Sequence, residues 1–192
     1  MEDLVGRPED VAPRLLGAFV HHGGVTVRLT EVEAYGGSDD PGSHAWRGRT
    51  ARNATMFDPP GRLYCYLSHG IHVCANVVVG EAGVAAAILL RAGEVVSGAD
   101  LARARRPGAA DRDLARGPGR LARALGLDLD LDGTDLVIGP VRLEHSGEPP
   151  AQVMAGPRVG LRGASDRPWR FWIEGDRTVS AYRRSPRADG GS

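Results

Sequence analysis

Apolar and polar residues alternate along several short stretches of the chain, which predicts β-strands joined by polar loops. The clearest stretch is VTVRLTEVEAY, residues 25–35. Successive side chains of an extended strand point to opposite faces. We therefore expect Val32 and Ala34 to face the core, and the opposite face to carry either chemistry or solvent-exposed groups, namely Glu31, Glu33 and Tyr35.

A second pair of alternating stretches predicts a β-hairpin. Residues 63–67 and 71–79 flank Ser68-His69-Gly70, a tight connection in which the glycine can adopt a positive φ. The hairpin therefore carries a histidine at its tip. In the second strand we expect Ile71, Val73, Ala75, Val77 and Val79 to pack into the core, and the other face to carry His72, Cys74, Asn76 and Val78.

The remaining pattern predicts an α+β fold with a mainly antiparallel sheet. We expect a first helix that Asp10 caps and that runs through Arg14, Leu15, Leu16 and Phe19, and further helices over 97–106 and 118–125. Further strands are predicted over 84–91, 136–138, 153–159 and 170–173, and a long loop over 36–60. The length fits one domain, residues 1–192, with a short flexible tail from about 185 to 192.

Charge is unevenly distributed along a chain whose formal net charge is zero. Residues 41–125 hold 12 arginines and 6 acidic residues, whereas residues 1–40 hold 3 and 8, and residues 126–192 hold 9 and 10. The three segments therefore carry +6, −5 and −1. A basic central segment is typical of a phosphate binder, although scattered solvated arginines would give the same count.

All 24 basic residues are arginine, so a Schiff-base enzyme would have only the N-terminal amine available. The N-terminal stretch has neither a signal-peptide pattern nor a membrane span, so we expect a cytoplasmic protein. Cys65 and Cys74 lie in apolar strands, which favours buried reduced thiols over a disulfide.

Glu33 is the first candidate for catalysis, with Arg91 as a partner that would keep it ionised; the alternative is an ordinary solvent-facing acid. A zinc site from His69, His72 and Cys74 is not expected, because the hairpin tip and the strand face point apart. The chain has no nucleophile elbow and no Walker phosphate loop. We expect neither metal nor cofactor.

Several ordered motifs resemble the alkyladenine DNA glycosylase family, also called the 3-methyladenine DNA glycosylase family. They are EVEAY, SHAWRGRTARNATMF, GRLYCYLSHGIHVCANV, ILLRA, GPGRLARALGL, GPRVG, WRFWI and TVSAYRR, and they extend from about residue 10 to 184. The resemblance implies a curved antiparallel sheet with flanking helices and a protruding hairpin that inserts into DNA.

The resemblance also implies the reaction. A monofunctional enzyme of this family flips a damaged purine out of duplex DNA and hydrolyses its N-glycosidic bond without lyase activity. Glu33 matches the carboxylate that takes a proton from the attacking water, and Arg91 and the backbone carbonyl of Val159 match the groups that hold this water. Methylated and deaminated purines, hypoxanthine among them, are the implied substrates.

Residues of the base pocket and of the DNA contact follow from the same motifs. Tyr35 and His44 match residues that stack on or hydrogen-bond to the everted base, Tyr66 matches the opposite wall, and Asn76 matches the floor that disfavours the guanine amine. His69 matches a wedge that is tyrosine in better-known members; the alternative is a tip histidine that faces water. The resemblance assigns the contacts with DNA phosphates to Arg47, Arg49 and Arg52.

The expected partner is therefore double-stranded DNA carrying a damaged purine, met at the bacterial nucleoid. We expect a monomer that needs no protein partner and no membrane. Two other functions remain open from the residues alone. A purine nucleosidase would share the glutamate but would gain nothing from the hairpin or the arginine loop, and a noncatalytic DNA-binding module would keep the basic segment without the chemistry.

Overall fold

A computed structural model describes residues 2–147, 150, 152–161, 163–164 and 166–185. The predicted tail lies outside these residues from position 186 onward. The eight strands are β1 Phe19–His22, β2 Val25–Tyr35, β3 Leu63–Ser68, β4 His72–Val78, β5 Ala87–Ser97, β6 Arg142–Glu144, β7 Val153–Gly156 and β8 Arg170–Ile173. The α-helices are α1 Pro8–Val11, α2 Ala99–Arg105 and α3 Pro118–Leu125, and short 3-10 helices cover Glu2–Leu4, Ala12–Leu15, Ala54–Phe57, Asp111–Asp113 and Leu129–Leu131.

The strands form one curled antiparallel sheet, which confirms the predicted α+β fold. Its main order is β3-β4-β5-β2-β1-β6, and β8 pairs with both β2 and β7. The β2 strand is the centre of this arrangement. It pairs with β5 along one edge, and with β1 and then β8 along the other.

The core lies between one face of the sheet and helices α2 and α3. It takes Val32 and Ala34 from β2, as the alternation predicts, and Leu121 and Leu125 from α3. Cys65 and Cys74 are buried and free. Within the described residues, no helix is both long enough and apolar enough to cross a membrane.

Three register shifts interrupt the pairing of β2 with β5, and the one between Glu31 and Val32 shapes the site. The pairs Val32↔Leu90 and Glu31↔Ala92 leave Arg91 as an extra residue on β5, so Arg91 lies in a β-bulge. Such bulges re-aim a side chain next to a site. The adjacent Gly93 is buried against β2, and a Cβ built there would lie 2.4 Å from the Arg28 carbonyl oxygen. A side chain at position 93 would therefore force the two strands apart.

The predicted N-terminal helix is wrong beyond Leu15, because it does not continue to Phe19. The helical turns occupy Pro8–Val11 and Ala12–Leu15, Gly17 then adopts a φ of +84°, and Phe19 begins β1. Asp10 lies inside α1 rather than capping a later helix. The positive φ of Gly17 ends the helical run and turns the chain into the sheet.

The predicted strand over 136–138 is also wrong. Asp135 accepts hydrogen bonds from the backbone amides of Val137 and Ile138, which closes a turn in place of a strand. Two further strands have different bounds from those expected. The strand predicted over 84–91 begins at Ala87 and continues to Ser97, and the one predicted over 153–159 ends at Gly156.

Candidate active site

Glu33 is fully buried on the face of β2 opposite the core, so it is not a solvent-facing acid. Three donors reach its carboxylate. The Tyr35 hydroxyl donates to Oε2 at 2.8 Å and Arg91 Nη1 donates to the same oxygen at 3.3 Å, while the Val159 amide donates to Oε1 at 2.7 Å. Hydrogen bonds and a neighbouring cation offset the cost of burying a carboxylate.

Arg91 connects Glu33 to a second buried carboxylate, Glu31. The Arg91 Nε donates to Glu31 Oε1 at 2.9 Å, and the guanidinium is 8% exposed. Burial alone would lower the pKa of Arg91, but the charges of the two glutamates raise it, so the guanidinium remains a cation. The bulge on β5 is what places this cation between the two acids.

Glu31 also receives hydrogen bonds from the C-terminal part of the chain. Arg170 Nε donates to Oε1 at 2.7 Å, the Ser180 hydroxyl donates to Oε1 at 2.9 Å, and the Ser180 amide donates to Oε2 at 2.7 Å. Burial raises the pKa of Glu31, but the charges of Arg91 and Arg170 outweigh it and the net pKa is lowered. Glu31 is therefore an anion, and its charge holds Arg91 in position.

An aromatic cavity opens next to Glu33. Its volume is about 410 Å³ when the open mouth is included. Tyr35 forms part of the wall and is hydrogen-bonded to Glu33, so the cavity and the carboxylate share one side chain. Its lining comprises Tyr35, Gly42, His44, Met56, Tyr64, Tyr66, Asn76, Ala87 and Leu161. The predicted pocket residues thus come together around one cavity.

His44 lies at the mouth of this cavity, with its outer side exposed. Its Nδ1 is 3.1 Å from the Tyr64 hydroxyl, and its ring meets the ring of Tyr66 edge-on at 4.5 Å. Partial burial lowers the pKa of His44, and the charge of Arg52 lowers it further. The imidazole is therefore neutral at pH 7.

The tyrosine hydroxyls of the cavity are all protonated donors at neutral pH. Burial raises the pKa of Tyr64 to about 12, and it raises the pKa of Tyr35 and Tyr66 as well. Asn76 is buried at the cavity wall and donates from Nδ2 to the Tyr64 carbonyl at 3.0 Å. This bond fixes the orientation of the amide.

A second buried ion pair contacts Tyr35, which forms one wall of the cavity. Arg158 donates to both oxygens of Asp40, at 2.6 and 2.7 Å, and both side chains are fully buried. The guanidinium lies over the rings of Tyr35 and Trp169, at 4.7 and 5.2 Å from their centroids. Because Val159 follows Arg158, this pair anchors the segment whose amide contacts Glu33.

The three arginines of the predicted basic loop are exposed, and they have different contacts. Arg47 lies over the ring of Trp46 and Arg49 over that of Phe57, each at 5.6 Å. Arg52 donates to the Leu67 carbonyl on β3 at 3.0 Å, so it also joins the loop to the hairpin.

His69 is exposed at the turn between β3 and β4, as the sequence predicts. Its backbone adopts a φ of +51°, uncommon for a residue with a side chain, and its Nδ1 lies 3.1 Å from the Ser68 hydroxyl. Ile71 was expected in the core but is 72% exposed, because β4 begins only at His72 and the turn carries Ile71 outward.

Sequence reasoning missed Glu31 as an anchor for Arg91, together with Asp40, Arg158, Arg170 and Ser180. Alternation placed Glu31 on the right face, but the distance in sequence to Arg170 and Ser180 gives no local signal of contact. Val159 was expected to act through its carbonyl, whereas the contact observed here is made by its amide. In the described residues, no group of three or more potential metal ligands comes together.

Comparison with known proteins agrees with this geometry. The family model described as methylpurine-DNA glycosylase (MPG) matches residues 3–177. The chain belongs to this family. It is accordingly a DNA glycosylase, a hydrolase of N-glycosyl bonds, and this confirms the resemblance drawn from the motifs.

Bacterial relatives cover nearly the whole chain. A protein of Nocardia farcinica is 56% identical, covering 99% of this chain and 94% of its own length, and one of Frankia casuarinae is 55% identical, covering 96% and 94%. A protein of Streptomyces avermitilis is 53% identical, covering 91% and 86%. All three carry the name "Putative 3-methyladenine DNA glycosylase".

Proposed function

We propose that this glycosylase acts on alkylated purines, 3-methyladenine among them, that are flipped out of duplex DNA into the aromatic cavity. A water activated by Glu33 then hydrolyses the N-glycosidic bond of the flipped purine. One observation carries the proposal. In the described residues, a fully buried carboxylate receives hydrogen bonds from Arg91, the Val159 amide and Tyr35, and Tyr35 lines a cavity walled by aromatic rings.

The free lone pairs of Glu33 support its role as the general base. A carboxylate oxygen can accept two hydrogen bonds. Oε2 receives the Tyr35 hydroxyl and Arg91, whereas among the described residues Oε1 receives the Val159 amide alone. Oε1 therefore has capacity for a water, and the Val159 carbonyl remains our predicted second partner of that water.

The proposed step balances without a cofactor. The C1′–N9 bond breaks with its electron pair passing to the purine, the water oxygen bonds to C1′, and the water proton passes to Glu33. A purine alkylated at N3 or N7 carries a positive charge and leaves as a neutral base. Glu33 and its charge also stabilise the cation that develops on the sugar.

Substrate breadth follows from the cavity walls. Tyr35, His44 and Tyr66 offer ring contacts, and stacking on aromatic rings tolerates different bases. The neutral imidazole of His44 does not repel a cationic purine. Hypoxanthine is neutral and needs a proton as it leaves, so we expect it to be released more slowly than a methylated base.

One experiment distinguishes this function from two others: it compares base release from duplex DNA with base release from the free nucleoside. A purine nucleosidase would cleave the free nucleoside as well as the same base in duplex DNA. A noncatalytic DNA-binding module would release no base from either. We expect release of a methylated purine from the duplex alone.

Glu33→Gln tests the general base directly. The amide cannot take the water proton, so we expect single-turnover release of a methylated purine to fall by about 10²–10⁴-fold. Duplex affinity is expected to stay within about threefold, because position 33 is buried away from the phosphates. The matched control is Glu81→Gln, an exposed glutamate outside the cavity. Melting temperatures of both variants check the fold, and unchanged release by a folded Glu33→Gln protein would rule out this role.

A further inference from the structure

A cleft on the other side of the hairpin from the basic loop is lined by arginines that the proposed function does not yet use. We call it the arginine cleft, and its polar lining comprises Ser68, His72, Arg106, Arg120 and Arg123. The basic loop is joined to β3 through Arg52, whereas the arginine cleft is bordered by Ser68 at the end of β3, by His72 of β4 and by α3. The two basic regions therefore contact the hairpin through different residues, and of the two α3 lines only the arginine cleft.

Strand pairing places the arginine cleft on the same face of the hairpin as the base cavity. Residues directly opposite each other in paired strands lie on the same face of the sheet, and every second residue along a strand lies on that face too. The pairs Ser68↔His72 and Tyr66↔Cys74 thus lie on one face. Tyr66 lines the base cavity, and Cys74 lines the arginine cleft beside it.

Close packing of α3 on β4 brings the arginines to the hairpin. A Cβ built on Gly119 would lie 2.9 Å from the His72 Cβ, so only glycine allows this approach. Arg120 follows directly, and Arg123 lies about one helical turn further on, where i and i+3 side chains share a face. The apolar side of the same helix is buried in the core.

The arginines of the cleft are not neutralised by protein carboxylates. In the described part of the chain Arg106 donates to the Asp113 carbonyl, Arg120 to the Arg116 carbonyl, and Arg123 forms no ion pair. Asp113 forms its ion pairs with Arg112 and Arg116. Burial lowers the pKa of Arg106, the charges of Arg120 and Arg123 lower it further, and the charge of Asp113 opposes them without reversing the shift.

We propose that the arginine cleft binds the phosphodiester backbone of the duplex on the β4 side of the hairpin, opposite the phosphates held by the basic loop. Three unpaired cations in a concave surface beside the hairpin fit a line of phosphates. The inference rests on the proposed function, because the duplex must lie across the hairpin when a base enters the cavity. It adds Arg106, Arg120 and Arg123 to the DNA contact.

The salt dependence of binding tests this cleft. Each phosphate contact contributes about −0.9 to the slope of log K against log salt concentration. We expect the double variant Arg120→Ala/Arg123→Ala to lower the magnitude of this slope by about two relative to the wild type. Wild type would then lose about tenfold more affinity than the variant between 50 and 200 mM KCl. The measurement is fluorescence anisotropy with a labelled undamaged duplex.

The matched control is Arg103→Ala/Arg112→Ala, which removes two exposed arginines from the same region of the chain. Both are paired with acids in the fold, Arg103 with Asp100 and Asp111, and Arg112 with Asp113. We expect the slope of this control to match the wild type. An unchanged slope in the Arg120→Ala/Arg123→Ala variant, or an equal fall in the control, would overturn the proposal.

Binding to undamaged DNA is read independently of base release, so the two proposals fail separately. If no base is released from a lesion-bearing duplex while the slope changes as expected, the proposed reaction is wrong and the cleft stands. If base is released and the slope does not change, the cleft is wrong and the reaction stands. All four substituted arginines are exposed, so folding is expected to survive in both variants.

Discussion

Glu33 is a buried carboxylate whose partners come from separate parts of the chain. Tyr35 is its neighbour on β2, Arg91 comes from the β5 bulge, and the Val159 amide comes from the segment after β7. An isolated buried charge is costly, and paired donors offset that cost. The same donors fix the orientation of the carboxylate, which a general base requires.

Arg52 and His44 give a prediction about pH. Because the pKa of His44 is lowered below 6.5, first by burial and then by Arg52, its ring gains a proton only below that pH. Release of a cationic purine is expected to stay level from pH 8 to about 6.5 and to weaken at lower pH as His44 becomes a cation. Arg52→Gln removes the second cause of the lowered His44 pKa. We therefore expect base release to begin to weaken at a higher pH in this variant than in the wild type.

The measurement is single-turnover release between pH 5 and 8, with the imidazole of His44 followed by NMR in both proteins. Arg49→Gln is the control, because this nearby arginine lies over Phe57 and is absent from the causes of the His44 shift. Base release that begins to weaken at the same pH in Arg52→Gln and in the wild type would contradict the electrostatic coupling.

The β3–β4 hairpin is the element that presents side chains to DNA in our proposal. Its strands pair without interruption from Leu63↔Val77 to Ser68↔His72, so the tip is held by a regular ladder. The turn exposes His69 and Ile71 together, one polar ring and one apolar side chain. Arg52 supports β3, and α3 supports β4, so the hairpin is held from both sides.

His69→Ala tests the wedge at the scale of this element. Unstacking a base costs a few kcal/mol, and a ring at the tip offsets part of that cost. We expect release from a fully paired lesion duplex to slow by about tenfold, which corresponds to about 1.4 kcal/mol. A lesion in a mismatch is already partly unstacked, so its release is expected to change less.

The control is His145→Ala, because this histidine lies beside Pro13 and Arg14, outside the base cavity and the arginine cleft. Release that is equal to wild type on both duplexes would mean that His69 faces water without filling the gap. Slower release by the same factor on both duplexes would point to a role other than unstacking.

At the scale of the whole molecule, buried ion pairs join the N-terminal half of the sheet to the C-terminal segments. Glu31 receives Arg170 and Ser180, and Asp40 receives Arg158. These contacts bring residues more than 100 positions apart in the chain around Glu33. The arrangement of the groups around Glu33 therefore depends on the packing of the C-terminal segments against the sheet.

Acid sensitivity follows from these pairs. Burial raises the pKa of Asp40, but hydrogen bonds and charge from Arg158 outweigh it, and the net pKa is lowered. A carboxylate with a lowered pKa in the fold contributes stability above its unfolded pKa of about 4, and that contribution is lost as pH falls below it. We expect the free energy of unfolding to decline below about pH 4.5.

Asp40→Asn isolates one of these pairs. It leaves the buried Arg158 unpaired, so we expect a loss of about 3–5 kcal/mol at pH 7. The free energy of unfolding of this variant is expected to fall less steeply at acid pH than that of the wild type, because one carboxylate no longer titrates. Urea unfolding at pH 7 and pH 4 measures both effects, with Asp39→Asn as the neighbouring control. Equal stability of Asp40→Asn and wild type at pH 7 would contradict this account.

The sequence by itself determined the local features of this protein. Alternation predicted β2, the hairpin and the placement of Glu33 with Tyr35 on one face, because a strand has a period of two whatever surrounds it. Pro118 and Gly126 bracket α3, whose bounds were predicted correctly. Ordered motifs were enough to identify the family, because they are strings of residues and need no geometry.

Only the tertiary structure decided which distant groups meet. The β5 bulge that aims Arg91 depends on pairing register, and the contacts of Glu31 with Arg170 and of Asp40 with Arg158 join segments that share no local pattern. The failed predictions at 16–19 and 136–138 have a related cause, since Gly17 and the turn at Asp135 overrode apolar spacing. Periodicity reports which face a residue occupies, whereas chain folding decides what that face contacts.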